Sequence, residues 1–255
     1  MSMIKLEGND RSRIISLFKD YTFWRTFMDL VLYQNMGLAI ADRPNPKMAV
    51  LFFSGAVVYG GKVEPEVACD LVKQLPVQPM VLGSDPEWYK YLKAFEFAQR
   101  TEKQRFYHPS NSLNFEKTHR LSKQAIPGYT IRRIEPSDDQ ELFEKLGWEH
   151  QRYHYKDMDQ FVTDGLGYCA VQNHTICAAV SCFARYRNEA EIQITTHVDH
   201  RRKGLAQALA ARFILDCQNK GIECPWDATD EASANLANKL GYSECKEYPI
   251  LEIQV

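Results

Sequence analysis

The stretch "HVDHRRKGLAQALAARF", His197 to Phe213, places three cationic side chains and a glycine directly in front of an alanine-rich helix. Leu205, Leu209 and Phe213 recur one turn apart, so one face of that helix is apolar. Ala206, Ala208, Ala210 and Ala211 favour helix, and Lys220-Gly221 close it with a cation and a residue free to turn left-handed. The start has no comparable provision. Arg201, Arg202 and Lys203 have no side-chain acceptor for the first helical N–H groups, and Gly204 has no side chain at all. An external anion answers both problems, because a phosphate accepts those N–H groups, suits the helix dipole and is neutralised by the nearby cations. Gly204 then has a purpose, since a Cβ there would hold the phosphate away from the backbone. A solvated basic loop carries the same residues, so the surroundings must decide.

Upstream, "EAEIQITTHV" reads as a strand running into this turn. Before it, "GYCAVQ" and "TICAAVSCFARYR" form a hairpin about an Asn173-His174 turn, preceded by a strand "YTIRRI" and helical material from Pro136 to about Asp159. Downstream come a short strand in "IECPWDA", a helix from Asp230 to Leu240 stopped by Gly241, and a closing strand "YPILEIQV". The first half opens with helix-like spacing from about Arg11 to Asn35. It continues with strands "MAVLFFSG" and "AVVYGGKV" about a Ser-Gly turn, a helix from Pro65 to Gln74, a strand "PMVLGS" and a helix from about Asp85 to Ala98. "EKTHRLSKQAIPG", Glu116 to Gly128, is polar, ends in Pro-Gly and reads as a linker. Two domains follow, residues 1–123 and 124–255, in an α/β (α+β) fold with a mixed, mostly antiparallel sheet flanked by helices.

Composition bounds the function. The chain has 255 residues, 45% of them hydrophobic, which suffices for sizeable cores. Its 31 Lys+Arg against 33 Asp+Glu leave a net charge of −2, which argues against a nucleic-acid or anionic-membrane binder. The 7 cysteines form no C-x-x-C pair, and several sit in apolar runs, as reduced thiols of a cytoplasmic protein do. No apolar run approaches a membrane span, and "MSMIKLEGNDRSRI" has no signal-peptide core.

Arg201-x-x-Gly204-x-Ala206 follows an apolar strand and opens an amphipathic helix, and "KLGY" follows a further strand and helix. In these features the chain from about Tyr129 to Val255 resembles the GNAT superfamily of acyl-CoA-dependent N-acyltransferases. The "WDATDEAS" segment is similar to the branch that carries an extra N-terminal half. The resemblance implies a GNAT fold in the C-terminal half, a GNAT-like or degenerate N-terminal half, and acetyl-CoA as co-substrate without a metal. It also implies that Arg201, Arg202, Lys203, Gly204, Leu205 and Ala206 surround the coenzyme pyrophosphate. Thr196, His197 and Val198 would meet the pantetheine and acyl carbonyl. The first half has "GGKVEPEVACDL" at the corresponding turn, where Val63 and Glu64 bring bulk and negative charge, so no second coenzyme site is expected. A fragment from about Gln124 to Val255 is expected to retain coenzyme binding if it folds.

Acyl transfer to an amine needs a base for the ammonium proton and donors for the carbonyl. Glu191, ten residues before Arg201, stands close to where histone-acetylating members of the superfamily place a glutamate base; a solvated strand-edge glutamate looks the same. His197 and His200 are alternatives for proton relay or plain polar residues. His150 and His154 lie one helical turn apart, but no third metal ligand is evident. Asp230 stands where many members have Asn and either contacts the coenzyme or caps its helix, and Ser233 offers a pantetheine contact. Ala237 replaces the usual thiolate-protonating Tyr. The leading function is N-acetyl transfer to a primary amine on a small molecule. A non-catalytic acyl-CoA sensor and an acyltransferase acting on a peptide or protein amine are the alternatives, and the sequence leaves monomer or homodimer open.

Overall fold

A computed structural model of the chain describes residues 3–74, 80–148, 155 and 157–254. They form two compact units, one of residues Met1–Arg105 with Glu247–Val255, the other Phe106–Lys246.

In the first unit, β1 (Ile4–Leu6), β2 (Leu38–Ala41), β3 (Met48–Phe53) and β4 (Ala56–Gly61) form an antiparallel meander. β5 (Met80–Ser84) then adds parallel to β4, and β12 (Lys246–Gln254) pairs antiparallel with β5. All six residues of β3 are buried, as the uninterrupted apolar run "MAVLFF" requires of a strand covered on both faces. The β3–β4 turn is Ser54-Gly55, both at positive φ, the backbone twist that suits a two-residue hairpin. Helices α2 (Pro65–Val72) and α3 (Pro86–Ala94) each open on a proline.

The long first helix expected from Arg11 to Asn35 is broken. A 3-10 helix, Gly8–Phe18, is followed by a bend at Trp24 (φ 62) and only then by α1 (Arg25–Gln34). Arg11 supplies the reason. Its guanidinium is buried and donates to the carbonyls of Leu6, Val31, Met36 and Gly37. In one straight helix Val31 would lie about 30 Å from Arg11, so the chain turns back to satisfy the buried charge.

The second unit holds a four-stranded antiparallel sheet in the order β10-β9-β8-β7, built from β7 (Thr130–Arg133), β8 (Gly167–Gln172), β9 (Thr175–Tyr186) and β10 (Glu189–Thr196). Separately, β11 (Trp226–Ala228) pairs antiparallel with Phe106–His108 of β6 (Gln99–His108). One face of the four-stranded sheet packs on α7 (Leu205–Asn219), with Leu205, Leu209 and Phe213 in its core. The buried alanines of α7, Ala208, Ala210 and Ala211, let its backbone lie close to neighbouring elements. The other face packs on α5 (Asp139–Leu146) and α6 (Met158–Asp164) through Leu142, Leu146, Trp148 and Phe161.

The expected linker Glu116–Gly128 is instead largely helix. α4 (Phe115–Ser122) is capped by Asn114, whose side chain accepts from Lys117 N at 3.0 Å. Its polar residues form the outer face, while Thr118 donates to Leu240 O at 2.9 Å and Arg212 of α7 donates to Ser122 O at 2.9 Å. Where the sequence places a boundary after Lys123, the compact units divide between Arg105 and Phe106, and the closing strand belongs with the first. α8 (Glu231–Leu240) ends at Gly241, as expected.

Candidate active site

β10 pairs with β9 along its whole length, from Glu189 opposite Tyr186 to Thr196 opposite Ala178. Among the described residues, its other edge is hydrogen-bonded only at the start. Ala190 N donates to Glu223 O at 2.9 Å and Glu223 N to Asn188 O at 2.6 Å. Beyond that point β11 pairs with β6 instead, and β10 becomes the edge of its sheet. The two neighbours thus part into a wedge, along which β10 presents an edge of backbone N–H and C=O groups. From Glu191 to Thr196 this edge is about 16 Å long.

The open end of the wedge leads into the basic turn. Val198–His200 make one 3-10 turn, Arg201 is extended, and Arg202 (φ 63) and Gly204 (φ 86) are left-handed. Gly204 is the N-cap of α7, with no side-chain cap. All three cations are exposed there. Arg201 Nε donates to Thr196 O at 3.3 Å, tying the turn to the strand end. Lys203 Nζ donates to the Tyr129 hydroxyl at 3.2 Å, and that hydroxyl lies 2.7 Å from His200 Nδ1. Gly204 has one ordinary neighbour where a Cβ would go, Ile126 Cδ1 at 3.4 Å, so its φ rather than crowding calls for glycine. A capless helix N-terminus with three cations and a left-handed lead-in matches what a phosphate binds.

Other expected site residues take more particular places. His197 N donates to Cys177 O at 2.9 Å, anchoring the strand end, and Val198 is 64% exposed. Leu205 is buried in the core, so only its backbone faces the turn. Asp230 caps α8, its Oδ1 accepting from Ser233 N at 2.8 Å, and Ser233 Oγ accepts from Trp226 Nε1 at 3.0 Å. Both side chains are therefore held by the protein itself. Ala237 is buried in the core. His150 and His154 lie outside the described residues, among which no group of three His, Cys, Asp or Glu is placed to hold a metal.

Glu191 is half-buried on β10 beside a bulge, where the register steps from Ala184 to Cys182 across Phe183. Tyr107 of β6 lies in its electrostatic reach. Burial first, and then the carboxylates Glu189, Glu191, Asp227 and Glu223, push the Tyr107 hydroxyl above its ordinary value, so it stays protonated at neutral pH. Sequence reasoning missed Tyr107, because "RFYH" has no motif and only pairing with β11 brings it here. Further along β10, Thr195 Oγ1 accepts from Trp148 Nε1 at 2.9 Å. Gln193 lies opposite Ser181. Among the described residues the buried Gln193 Oε1 and Ser181 Oγ have no hydrogen-bond partner. Neither was singled out, since alternation along the strand carries no sign of what faces it.

Residues 16–251 match the GNAT acetyltransferase family. The chain belongs to that family. Over 175 residues it is 29% identical to the uncharacterized N-acetyltransferase YdfB of Bacillus subtilis (strain 168), covering 67% of this chain and 64% of that protein. The match thus spans less than two thirds of that relative's length. Among solved structures, a GCN5-related N-acetyltransferase-like protein from Streptococcus suis 89/1591 superposes with a TM-score of 0.81 at 22% identity, covering 95% of this chain and 98% of that one. A GNAT-family acetyltransferase from Colwellia psychrerythraea gives 0.63 at 12% identity, with 100% of both chains covered. A tandem GNAT protein from the clavulanic acid biosynthesis pathway gives 0.62 at 12% identity, covering 98% and 96%. At these identities the likenesses establish the GNAT fold. Among the described residues, no helix is long and apolar enough to cross a membrane.

Proposed function

We propose that this GNAT protein transfers an acetyl group from acetyl-CoA to a primary amine on a small molecule. The capless, Gly204-led N-terminus of α7, at the mouth of the wedge beside β10, carries the reading. Arg201, Arg202 and Lys203 would neutralise the pyrophosphate, and the N–H groups of Gly204, Leu205 and Ala206 would donate to its oxygens, which would cap the helix. Thr196 to Val198, at the end of β10, would align the pantetheine arm along the strand edge. Acetyl-CoA supplies the acyl group already activated as a thioester. Glu191 takes the ammonium proton through a water, leaving the amine nucleophilic. Ala237 offers no proton to the departing thiolate, a fair leaving group that needs none. The relative YdfB is named an N-acetyltransferase, which supports the reaction class. The seven free cysteines suit a reducing compartment such as the cytoplasm.

Gly204→Asp tests the carrying observation, because its carboxylate would occupy the anion's place. Calorimetric titration with acetyl-CoA should show binding by the wild type and none by the folded variant; unchanged affinity refutes the phosphate turn. One observation, the buried Ala237, favours a binding-only protein. Turnover of acetyl-CoA against a panel of small amines separates the two readings, and amine-dependent release of coenzyme A decides for the enzyme.

A further inference from the structure

The first unit contains a cavity of about 800 Å³, a volume typical of small-molecule sites. It opens at the C-terminal ends of β4 and β5, lined by Gly61 at the end of one strand with Lys62 after it, and by Gly83 near the end of the other with Asp85 after it. These strands run parallel, and in α/β sheets ligands collect beyond the carboxyl ends of such strands. The place is analogous to the wedge beside β10 in the second unit, but its chemistry is opposite. After β4 the turn carries Glu64, engaged by Arg43 and Lys47. The N-terminus of α3 is already capped by Asp85, whose Oδ1 accepts from Trp88 N at 2.8 Å. Among the described residues a carboxylate stands at the head of each of these helices, Glu64 at α2 and Asp85 at α3, which disfavours a phosphate there.

The walls suit a cation. Asp20, Asp85 and Glu87 line the cavity against a single cationic side chain, Lys62. Between them stand Tyr21, Phe23, Trp24, Tyr89 and Tyr248. Three of these rings are locked together before any ligand arrives. Phe23 stacks on Tyr248 at 4.0 Å and 7°, and Trp24 Nε1 donates to the Tyr248 hydroxyl at 2.6 Å. Gly83 makes room for the Trp24 indole, which lies 3.1 Å from where a Cβ would stand. The Trp24 ring already attracts a guanidinium, that of Arg105, 5.6 Å from its centroid. Fixed aromatic rings with carboxylates at the rim bind organic cations through the ring quadrupole and through charge, at little ordering cost.

We propose that this cavity binds a small organic ammonium compound with an apolar body, at a site separate from the transfer site. The inference does not depend on acetyl transfer. The test is calorimetric titration of the full chain with phenethyltrimethylammonium, which has no N–H to acetylate, and with 3-phenylpropionate as an anion of similar body. Tryptophan fluorescence is followed in parallel to report on Trp24. The ammonium compound should bind and change the emission, and the carboxylate should not. Asp20→Asn combined with Glu87→Gln, both at exposed positions, should weaken the ammonium compound by about tenfold with an unchanged melting temperature. Binding of the carboxylate as tightly as the cation, no binding of the cation, or undiminished affinity in the double variant would each overturn the proposal.

Discussion

Glu191 lies where two strands begin to part, and the nearby Tyr107 is itself surrounded by carboxylates. A base that receives a proton only during turnover contributes to rate and little to coenzyme affinity. Glu191→Gln should therefore leave acetyl-CoA binding intact and lower kcat by about 10²- to 10⁴-fold; wild-type rates across the pH range would remove Glu191 from the mechanism. Asp138 is a contrasting carboxylate, serving structure. Burial alone would raise its pKa, but the paired bonds from Arg132 at 2.7 and 2.8 Å and the N–H of Glu135 outweigh it and hold the group below its ordinary value. A carboxylate with a depressed folded pKa stabilises above its unfolded value, and that contribution is lost as pH falls through the folded one. Asp138→Asn should cost about 1–3 kcal/mol at pH 7, and the loss should shrink in acid. Urea unfolding at pH 7 and pH 3 checks this, and equal losses at both would refute it.

At the scale of elements, local signals served well where the turn itself carried the information. Asn173-His174 joins β8 to β9 with φ of 49° and 63°, as a tight two-residue hairpin demands. His174 is an exposed non-glycine held left-handed. His174→Gly should thus stabilise the unit by about 0.5 kcal/mol, strain relief exceeding the added unfolded-state entropy; a drop in melting temperature would contradict this. α4 was hidden for a reason that its surroundings explain. Its inward residues are Thr118, Leu121 and Ser122, two of them polar, so the segment shows no apolar stripe until α7 and Leu240 supply partners for the hydroxyls and carbonyls. The break between Phe18 and Arg25 was hidden too, because Arg11 reads as a solvated charge until its four carbonyl acceptors are known.

At the scale of the molecule, the division after Arg105 changes which fragment should stand alone. A fragment of residues 124–255 lacks α4 and the Phe106–His108 partner of β11, and it keeps a closing strand that belongs to the first unit. Residues 106–246 retain α4, the Phe106–His108 partner of β11 and the four-stranded sheet under α7, without the closing strand. Circular dichroism with urea unfolding should show a cooperative transition for 106–246, with acetyl-CoA binding retained, and none for 124–255. A cooperative transition in the shorter fragment would show that α4 and β6 are dispensable.

What the sequence determined by itself was set by short-range geometry. The Arg201–Ala206 turn, the Ala-rich α7, the Asn173-His174 hairpin and the Gly241 stop each declare their backbone conformation in a few adjacent residues, and the first of them, with "KLGY", carries the resemblance to the GNAT superfamily. Tertiary structure alone decided which distant groups meet. It brought Tyr107 within electrostatic reach of Glu191, set Gln193 opposite Ser181, made Asp230 a cap and closed an aromatic and acidic cavity around Trp24 and Tyr248. Such contacts depend on strand order and long loop closures, and no local propensity encodes those.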